Sequence, residues 1–409
     1  MHTIMRRFLR NSQLPLLCAS LLFACQDQSD ILTPDQQDQQ VFWTYTYEPI
    51  DGQYIVVVHD ENLIGGRLQP LDYGSSQIMM KSESEMILSG HQITSDVKMV
   101  FSKTINGFVA KLKDHELLEL QNDKRVKYIE QDYLIILGKP PWAGGGGTGE
   151  SSNGEELPPG ITRVNGGVTY TGNKVAWVID TGIDLDHGDL NVDAGRGFNT
   201  FSFGKDGKSL DDGHGHGTHV AGTIAAIDNE IGVVGVAAGA TVIPVKVLNS
   251  RGSGSYSGVI AGVDYVGANG SSGDVANMSL GGPVSQALDD AVVAASGNGI
   301  KFCLAAGNAS DNANNYSPAR ANSSNIYTIS AMDADDNWAS FSNYGNPPID
   351  YCAPGVSIKS TWKGGGYKTI SGTSMATPHA AGVLLLGNAS VDGKVNGDPD
   401  SDNDDIIVH

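Results

Sequence analysis

The sequence predicts an α/β protein on a mostly parallel sheet, with a small α+β domain ahead of it. Three observations carry that expectation. Continuous apolar runs (Lys174–Ile179, Val242–Val247, Val275–Ser279, Ile300–Ala306 and Tyr327–Ala331) read as strands buried on both faces. Small-residue segments with helical spacing, Thr218–Ala226, Ser257–Ala268 and Val284–Ser296, alternate with them, as in parallel βαβ units. The chain has 409 residues and 52 glycines, enough for a large core and for many tight turns. No internal repeat interrupts the pattern.

Taken from its start, the chain opens as an export signal over residues 1–25. Arg6, Arg7 and Arg10 precede Leu14–Ala24, an apolar stretch too short to cross a bilayer as a helix. The stretch ends Leu22-Phe-Ala-Cys25, which resembles the lipobox of bacterial lipoproteins and implies membrane attachment through a lipidated Cys25. A plain signal peptide with a cysteine at that position is the alternative. Gln26–Gln40 is rich in Gln and Asp with almost nothing to bury, and residues 26–49 read as a polar tether.

Residues 50–137 read as a small ferredoxin-like domain. Tyr54–Val58, Gly107–Leu112 and Arg125–Gln131 have strand character, and Asp114–Gln121 reads as a helix capped by Asp114. A linker over 138–159 follows, marked by Pro140-Pro-Trp-Ala-Gly-Gly-Gly-Gly147. The third region, 160–409, holds the alternating pattern. Its last helix is expected over Ser374–Leu386, with Pro378 tolerated in the first turn. After Ala389 the chain turns Asp-rich, with no assigned packing. Cys18 and Cys25 belong to the leader. Cys303 and Cys352 sit in runs on different strands and read as two buried free thiols, since a disulfide needs Cα atoms within about 6 Å.

Charge excludes one class of partner. The net charge is −20, and from residue 140 onward 13 Lys and Arg face 28 Asp and Glu. Nucleic acid needs a basic face, so it is a poor partner. An acidic surface suits solubility and cation binding.

Three segments carry chemistry. Val175-Ala-Trp-Val-Ile-Asp-Thr-Gly182 ends a strand on Asp180 at the edge where open α/β sheets gather their sites. Taken alone, Asp180 is equally a turn or helix-capping residue. His216-Gly-Thr-His-Val-Ala-Gly222 puts His216 at the mouth of a helix with a small, apolar face, placed to take a proton near neutral pH. Two other readings stay open: His214, His216 and His219 as a metal cluster, and His219 as a core histidine. Gly372-Thr-Ser-Met-Ala-Thr-Pro-His379 places Ser374 at a helix N-terminus, as a nucleophile or as a capping serine. Ala305-Ala-Gly-Asn308 is, as bare sequence, a turn.

Together, in this order and spacing, the four motifs resemble the subtilisin family over roughly residues 160–390, with its chain order of Asp, His, Ser. Around Tyr316-Ser-Pro-Ala and Ser340-Phe-Ser-Asn-Tyr-Gly345 the likeness is to the proteinase K branch. The resemblance implies a three-layer fold and a monomeric serine endopeptidase with Asp180, His216 and Ser374 as its triad and Asn308 as an oxyanion donor. It implies protein or peptide substrates that lie as an added strand between two segments. Gly252, Gly254 and Tyr256 mark the first; Ser279, Leu280, Gly281 and Gly282 mark the second. Ala306 and Gly307 border the specificity pocket. No acidic residue lies in these stretches, so a large apolar or aromatic residue is expected before the cut. Val126-Lys-Tyr-Ile-Glu-Gln-Asp132 resembles the end of the family's propeptide inhibitor, which implies self-cleavage of residues 50–137. A structural calcium is implied at Asp189, Asn229 and the carbonyls of Ile227, Ile231 and Val233, with a solvated loop as the alternative. No organic cofactor is implied. The chain is expected outside the cell or lipid-anchored to a bacterial membrane surface. A binding protein that kept the fold, or an inhibitor acting through residues 50–137, are the competing classes.

Overall fold

In the computed structural model, which describes residues 44–62, 71–138, 149–151 and 154–409, the described residues begin with an antiparallel sheet. The expected leader, Cys25, most of the tether and the Gly-rich part of the linker lie outside the described residues. Strands β1 (Thr44–Val58), β2 (Met99–Phe101), β3 (Gly107–Lys111) and β4 (Val126–Gly138) stand in the order β4-β1-β3-β2. Side chains alternate across this sheet. Val56, Val58, Phe108 and Ala110 pack with Met80, Ile87 and Leu88 of helix α1 (Tyr73–Gly90) and Leu120 of α2 (Asp114–Gln121). Ile55, Val57 and Val109 face the other way, into an apolar cluster shared with the second domain. The small sheet therefore has one layer of its own and borrows the other.

Three details depart from expectation here. Helix α1 is not legible because Ser76, Glu83 and Ser84 occupy buried positions and blur its apolar period. Lys113, not Asp114, stands at the capping position of α2, and the Glu116 carboxylate accepts from the Lys113 N–H at 2.8 Å. The tether ends early, because Thr44–Pro49 are already paired with Tyr133–Gly138 inside β1 and β4.

The second domain is built on β5 (Ala176–Asp180), β6 (Thr241–Lys246), β7 (Ser253–Ser255), β8 (Val275–Met278), β9 (Lys301–Ala305), β10 (Ile326–Met332) and β11 (Ile349–Pro354). All but β7 lie parallel in the order β11-β10-β9-β8-β5-β6. The helices are α3 (His216–Ala225), α4 (Tyr256–Asn269), α5 (Gln286–Ser296) and α6 (Thr373–Leu386). Ala176 and Val178 pack with Val220 and Ile224 of α3 and Ala376 and Ala380 of α6. Trp177 and Ile179 pack with Val259 and Val263 of α4 and Leu288 and Val292 of α5. The result is a three-layer sandwich with both faces of the sheet covered.

The small domain docks on α4 and α5 through carboxylates as well as apolar surface. Asp132 accepts from the Ser257 N–H at 3.1 Å and Oγ at 2.5 Å, at the start of α4. Glu130 accepts from Ser285 Oγ at 2.5 Å and from the Ala287 N–H, at the start of α5. Returning the contact, Asp264 of α4 accepts from the N–H groups of Ser102, Lys103 and Thr104.

Two further differences concern the chain's end. Pro378 lies inside α6, not in its first turn. Its missing N–H leaves the Ser374 carbonyl without a helical donor, and Ser279 Oγ takes that place at 2.8 Å. The Asp-rich end is not a solvated tail throughout. Strands β12 (Ser390–Lys394) and β13 (Asp405–Val408) pair, and β13 adds to β11, burying Ile406 and Ile407 to 1% and 0% exposure.

Cys303 on β9 and Cys352 on β11 are both buried and free, with β10 between their strands. Burial pushes both thiols above their ordinary pKa. Neither should react with a thiol-modifying reagent in the native protein, and both should react once it is denatured. Mass spectrometry after each treatment checks this, and prompt native labelling of either would contradict it.

Candidate active site

The residues picked out from sequence gather where the parallel strands end. Asp180 is the last residue of β5 and is fully buried. Its carbonyl accepts from the N–H groups of Val247 and Leu248 at 2.9 and 3.1 Å, which stitches it to the end of β6. Its carboxylate accepts from the Thr181 N–H at 2.7 Å. Gly182 then turns the chain at φ 100°, where a Cβ would meet the Leu210 carbonyl at 2.3 Å.

His216 opens α3 with its ring fully buried, and its Nδ1 lies 2.8 and 2.9 Å from the two Asp180 oxygens. The Gly217 N–H donates to Thr181 Oγ1 at 2.9 Å, so the first turn of α3 is tied to the residue after Asp180. His219 points into the core instead. Its Nε2 sits 3.0 Å from the Lys368 carbonyl and 3.1 Å from that of Ile358, and burial holds its pKa down to about 3. The ring of His214 lies 6.4 Å from that of His216.

Ser374 is the second residue of α6 and 1% exposed, with Oγ 3.2 Å from the Ser279 carbonyl. Asn308 stands beside this helix end. Its Oδ1 accepts from both the N–H and Oγ1 of Thr373 at 2.8 Å, which fixes the orientation of the carboxamide. A helix start of this kind presents N–H groups and positive dipole to whatever negative charge forms there.

Of the two expected substrate segments, the first is paired with the chain's own strand. Ser253, Gly254 and Ser255 stand antiparallel to Ile136, Ile135 and Leu134, and the Leu137 N–H donates to the Gly252 carbonyl at 2.9 Å. Gly252 has φ 77°, and a Cβ there would meet Leu137 Cβ at 3.1 Å. Ile135 is fully buried in the cluster that holds Tyr256 and Leu280. Tyr256 is fixed by its hydroxyl, which donates to the Pro283 carbonyl at 2.7 Å. The second segment does not pair with β4 as expected. The other edge of β4 is taken by Thr44–Pro49, which replaces Ser279–Gly282 as its neighbour.

Leu280, Gly281 and Gly282, with Ala306, Gly307 and Asn308, line a cavity of about 180 Å³ whose wall carries no charged residue.

A separate group lies on the loop after α3. Asp189 is fully buried, and burial pushes its carboxyl up to about 6. The Val233 N–H donates to its Oδ2 at 3.1 Å, while Oδ1 is buried with no hydrogen-bond partner among the described residues. The Ile227 N–H reaches the Asp189 carbonyl at 3.0 Å, and the Ile231 N–H donates to Asn229 Oδ1 at 3.1 Å. The five residues expected to hold a metal thus share one small region.

Three residues here escaped sequence reasoning. Lys246 is fully buried at the end of β6 and donates to the carbonyls of Thr181 and Leu248 at 2.5 and 3.2 Å, with Asp206 at 3.3 Å. A lone charge in the apolar run Val242–Val247 was the available signal. Glu155, inside the expected linker, accepts at Oε1 from the N–H groups of Asn229 and Glu230 at 2.6 and 3.0 Å. Tyr45 lay in the expected tether, where the aromatic and β-branched run Phe42-Trp-Thr-Tyr-Thr-Tyr47 was the available signal.

The profile of the subtilase family matches residues 171–392, and that of peptidase inhibitor I9 matches residues 53–137. An alkaline serine exoprotease A from Vibrio alginolyticus is 45% identical over 300 residues, covering 71% of this chain and 53% of its own length. The chain thus spans about half of that relative. An extracellular serine proteinase from Thermus sp. (strain Rt41A) is 38% identical over 351 residues, covering 83% of this chain and 80% of its own length. A crystal structure of a cold-adapted subtilisin-like serine proteinase, 42% identical, covers 56% of this chain and 84% of its own at a TM-score of 0.49.

Proposed function

The chain belongs to the subtilase family of serine endopeptidases, with an inhibitor I9 domain ahead of it, and we propose that it is an exported peptidase held latent by that domain. The observation that carries the reading is the buried pair of Asp180 and His216 at 2.8 Å, with Ser374 at the start of α6. In the proposed cycle His216 takes the Ser374 proton as the hydroxyl attacks a peptide carbonyl. Asp180 holds the imidazole in the tautomer with Nδ1–H and stabilises the imidazolium. The Ser374 N–H and the Asn308 carboxamide hold the oxyanion, and water then releases the acyl-enzyme. Substrate pairs with Gly252–Tyr256 and places a large apolar or aromatic side chain in the uncharged cavity.

Export is supported by the basic and apolar leader, and Leu22-Phe-Ala-Cys25 supports a lipid anchor at Cys25. The Thermus relative is named as extracellular.

Calcium is the second part of the proposal. The orphaned buried oxygen of Asp189 and the hard oxygens around it fit a divalent cation. Asp189, Asn229 and the carbonyls of Ile227, Ile231 and Val233 would hold it, with Glu155 as a further oxygen donor. Its role would be structural: it would pin the loop after α3 to the segment before Pro158.

Self-cleavage follows from the placing of β4. Leu134–Gly138 runs along β7 as a peptide substrate would, and its last residue, Gly138, stands opposite Thr44 beside the Tyr45–Leu137 pair. Expressed in a protease-free host, Ser374→Ala should accumulate as uncut full-length chain, whereas the parent should be cut near Gly138. Normal processing of the variant on a gel would overturn the reading. For calcium, a chelator should lower the unfolding temperature of the mature enzyme, and Asp189→Asn should reproduce most of that loss. At a hundredfold excess over its dissociation constant, an ion bound only by the folded form contributes about 2.7 kcal/mol. An unfolding temperature indifferent to both changes would remove the site.

A further inference from the structure

The inhibitor match begins at residue 53, yet β1 begins at Thr44. Those additional residues hold a defined place in the cleft. Thr44 stands opposite Gly138 and Tyr45 opposite Leu137, so the segment lies along the edge of β4 that β7 leaves open. From there the Tyr45 hydroxyl donates to the Ser279 carbonyl at 2.5 Å. Ser374 Oγ itself is 3.2 Å from the same carbonyl, so one oxygen atom gathers both hydroxyls. Burial, with the Asp180 charge nearby, pushes the phenol well above its ordinary pKa and keeps it a neutral donor. Thr44 and Tyr47 border the uncharged cavity, and the Tyr47 ring sits edge-on to that of Tyr133 at 6.4 Å.

We propose that Thr44–Pro49 is a second inhibitory strand, distinct from the tail Leu134–Gly138, that closes the nucleophile with Tyr45 and walls the specificity cavity with Tyr47. This rests on Ser374 being the nucleophile. With the strand in place after the chain's own cut near Gly138, a further peptide cannot bring its carbonyl to Ser374 or its N–H to the Ser279 carbonyl. Withdrawal of the tail by a residue or two would therefore not open the site. The strand bonds to the tail rather than to Ser279–Gly282, so each holds the other down, and the two leave together. A polar, aromatic-poor tether would not do this; tyrosines at 45 and 47 suit an edge strand with a cavity beneath it.

The test uses the full chain and reads the time at which activity on a small peptide substrate appears after expression, with processing followed on a gel. Tyr45→Ala should shorten that lag by up to about fivefold, the upper end for loss of one half-buried cross-strand contact. Tyr45→Phe keeps the ring but loses the hydrogen bond to the Ser279 carbonyl and should fall between. A Tyr45→Ala chain that is processed and gains activity with the parent's lag would overturn the proposal. Activity absent from the parent as well would fail the underlying reading of Ser374, and the strand with it. Should Tyr45→Ala not fold, hydrogen exchange on the Ser374→Ala chain decides the matter. Amides at 44–49 protected like those at 134–138 support the strand, and exchange at the rate of an unstructured peptide rejects it.

Discussion

A carboxylate buried at the end of a central strand must be matched, and the matching of Asp180 dictates much of what surrounds it. Its oxygens take the Thr181 N–H and the His216 ring, which sets the start of α3. Its carbonyl takes Val247 and Leu248, which sets the exit of β6. Lys246 adds a buried cation that fixes the Thr181 and Leu248 carbonyls from the other side. A few residues past that exit, the chain becomes β7, the edge on which β4 lies. One buried acid thus relates the proposed base to the strand that would carry substrate.

The same economy governs the small domain. Its sheet has helices on one face alone, and the other face is completed by α4 and α5 of the larger domain. Asp132 and Glu130 add charge at the N-termini of those two helices, where backbone N–H groups and the helix dipole favour an acid. The larger domain in turn rests on a parallel sheet whose strands meet only after long stretches of chain, a topology that folds slowly. A small antiparallel sheet docked on α4 and α5 holds two of its helices in register. Each domain therefore supplies a surface that the other lacks.

Much of this was legible in the sequence, for physical reasons. Strands covered on both faces must be continuously apolar, so β5, β6, β8, β9 and β10 lie within a residue or two of where the runs placed them. The proposed catalytic residues sit at element ends, where a polar residue closing an apolar run is conspicuous. What was hidden lay where local pattern and tertiary role diverge. Helix α1 buries Ser76, Glu83 and Ser84, so its period is blurred. The role of Pro378 depends on Ser279, far away in sequence. Glu155 sits in a segment whose composition promises solvent and Tyr45 just beyond another, yet each reaches a site through contacts made by distant elements. The Asp-rich end concealed β13, which three consecutive apolar residues, Ile406, Ile407 and Val408, hold against β11.

That Asp180, His216 and Ser374 act as one unit is tested most directly by a fluorophosphonate probe on the matured chain. The expected result is a single adduct, mapped by peptide mass spectrometry to Ser374. The labelling rate should fall by several orders of magnitude in His216→Ala, because residues acting as a unit fail together. Labelling of Ser374 at an unchanged rate without His216, or an adduct on any other residue, would contradict it.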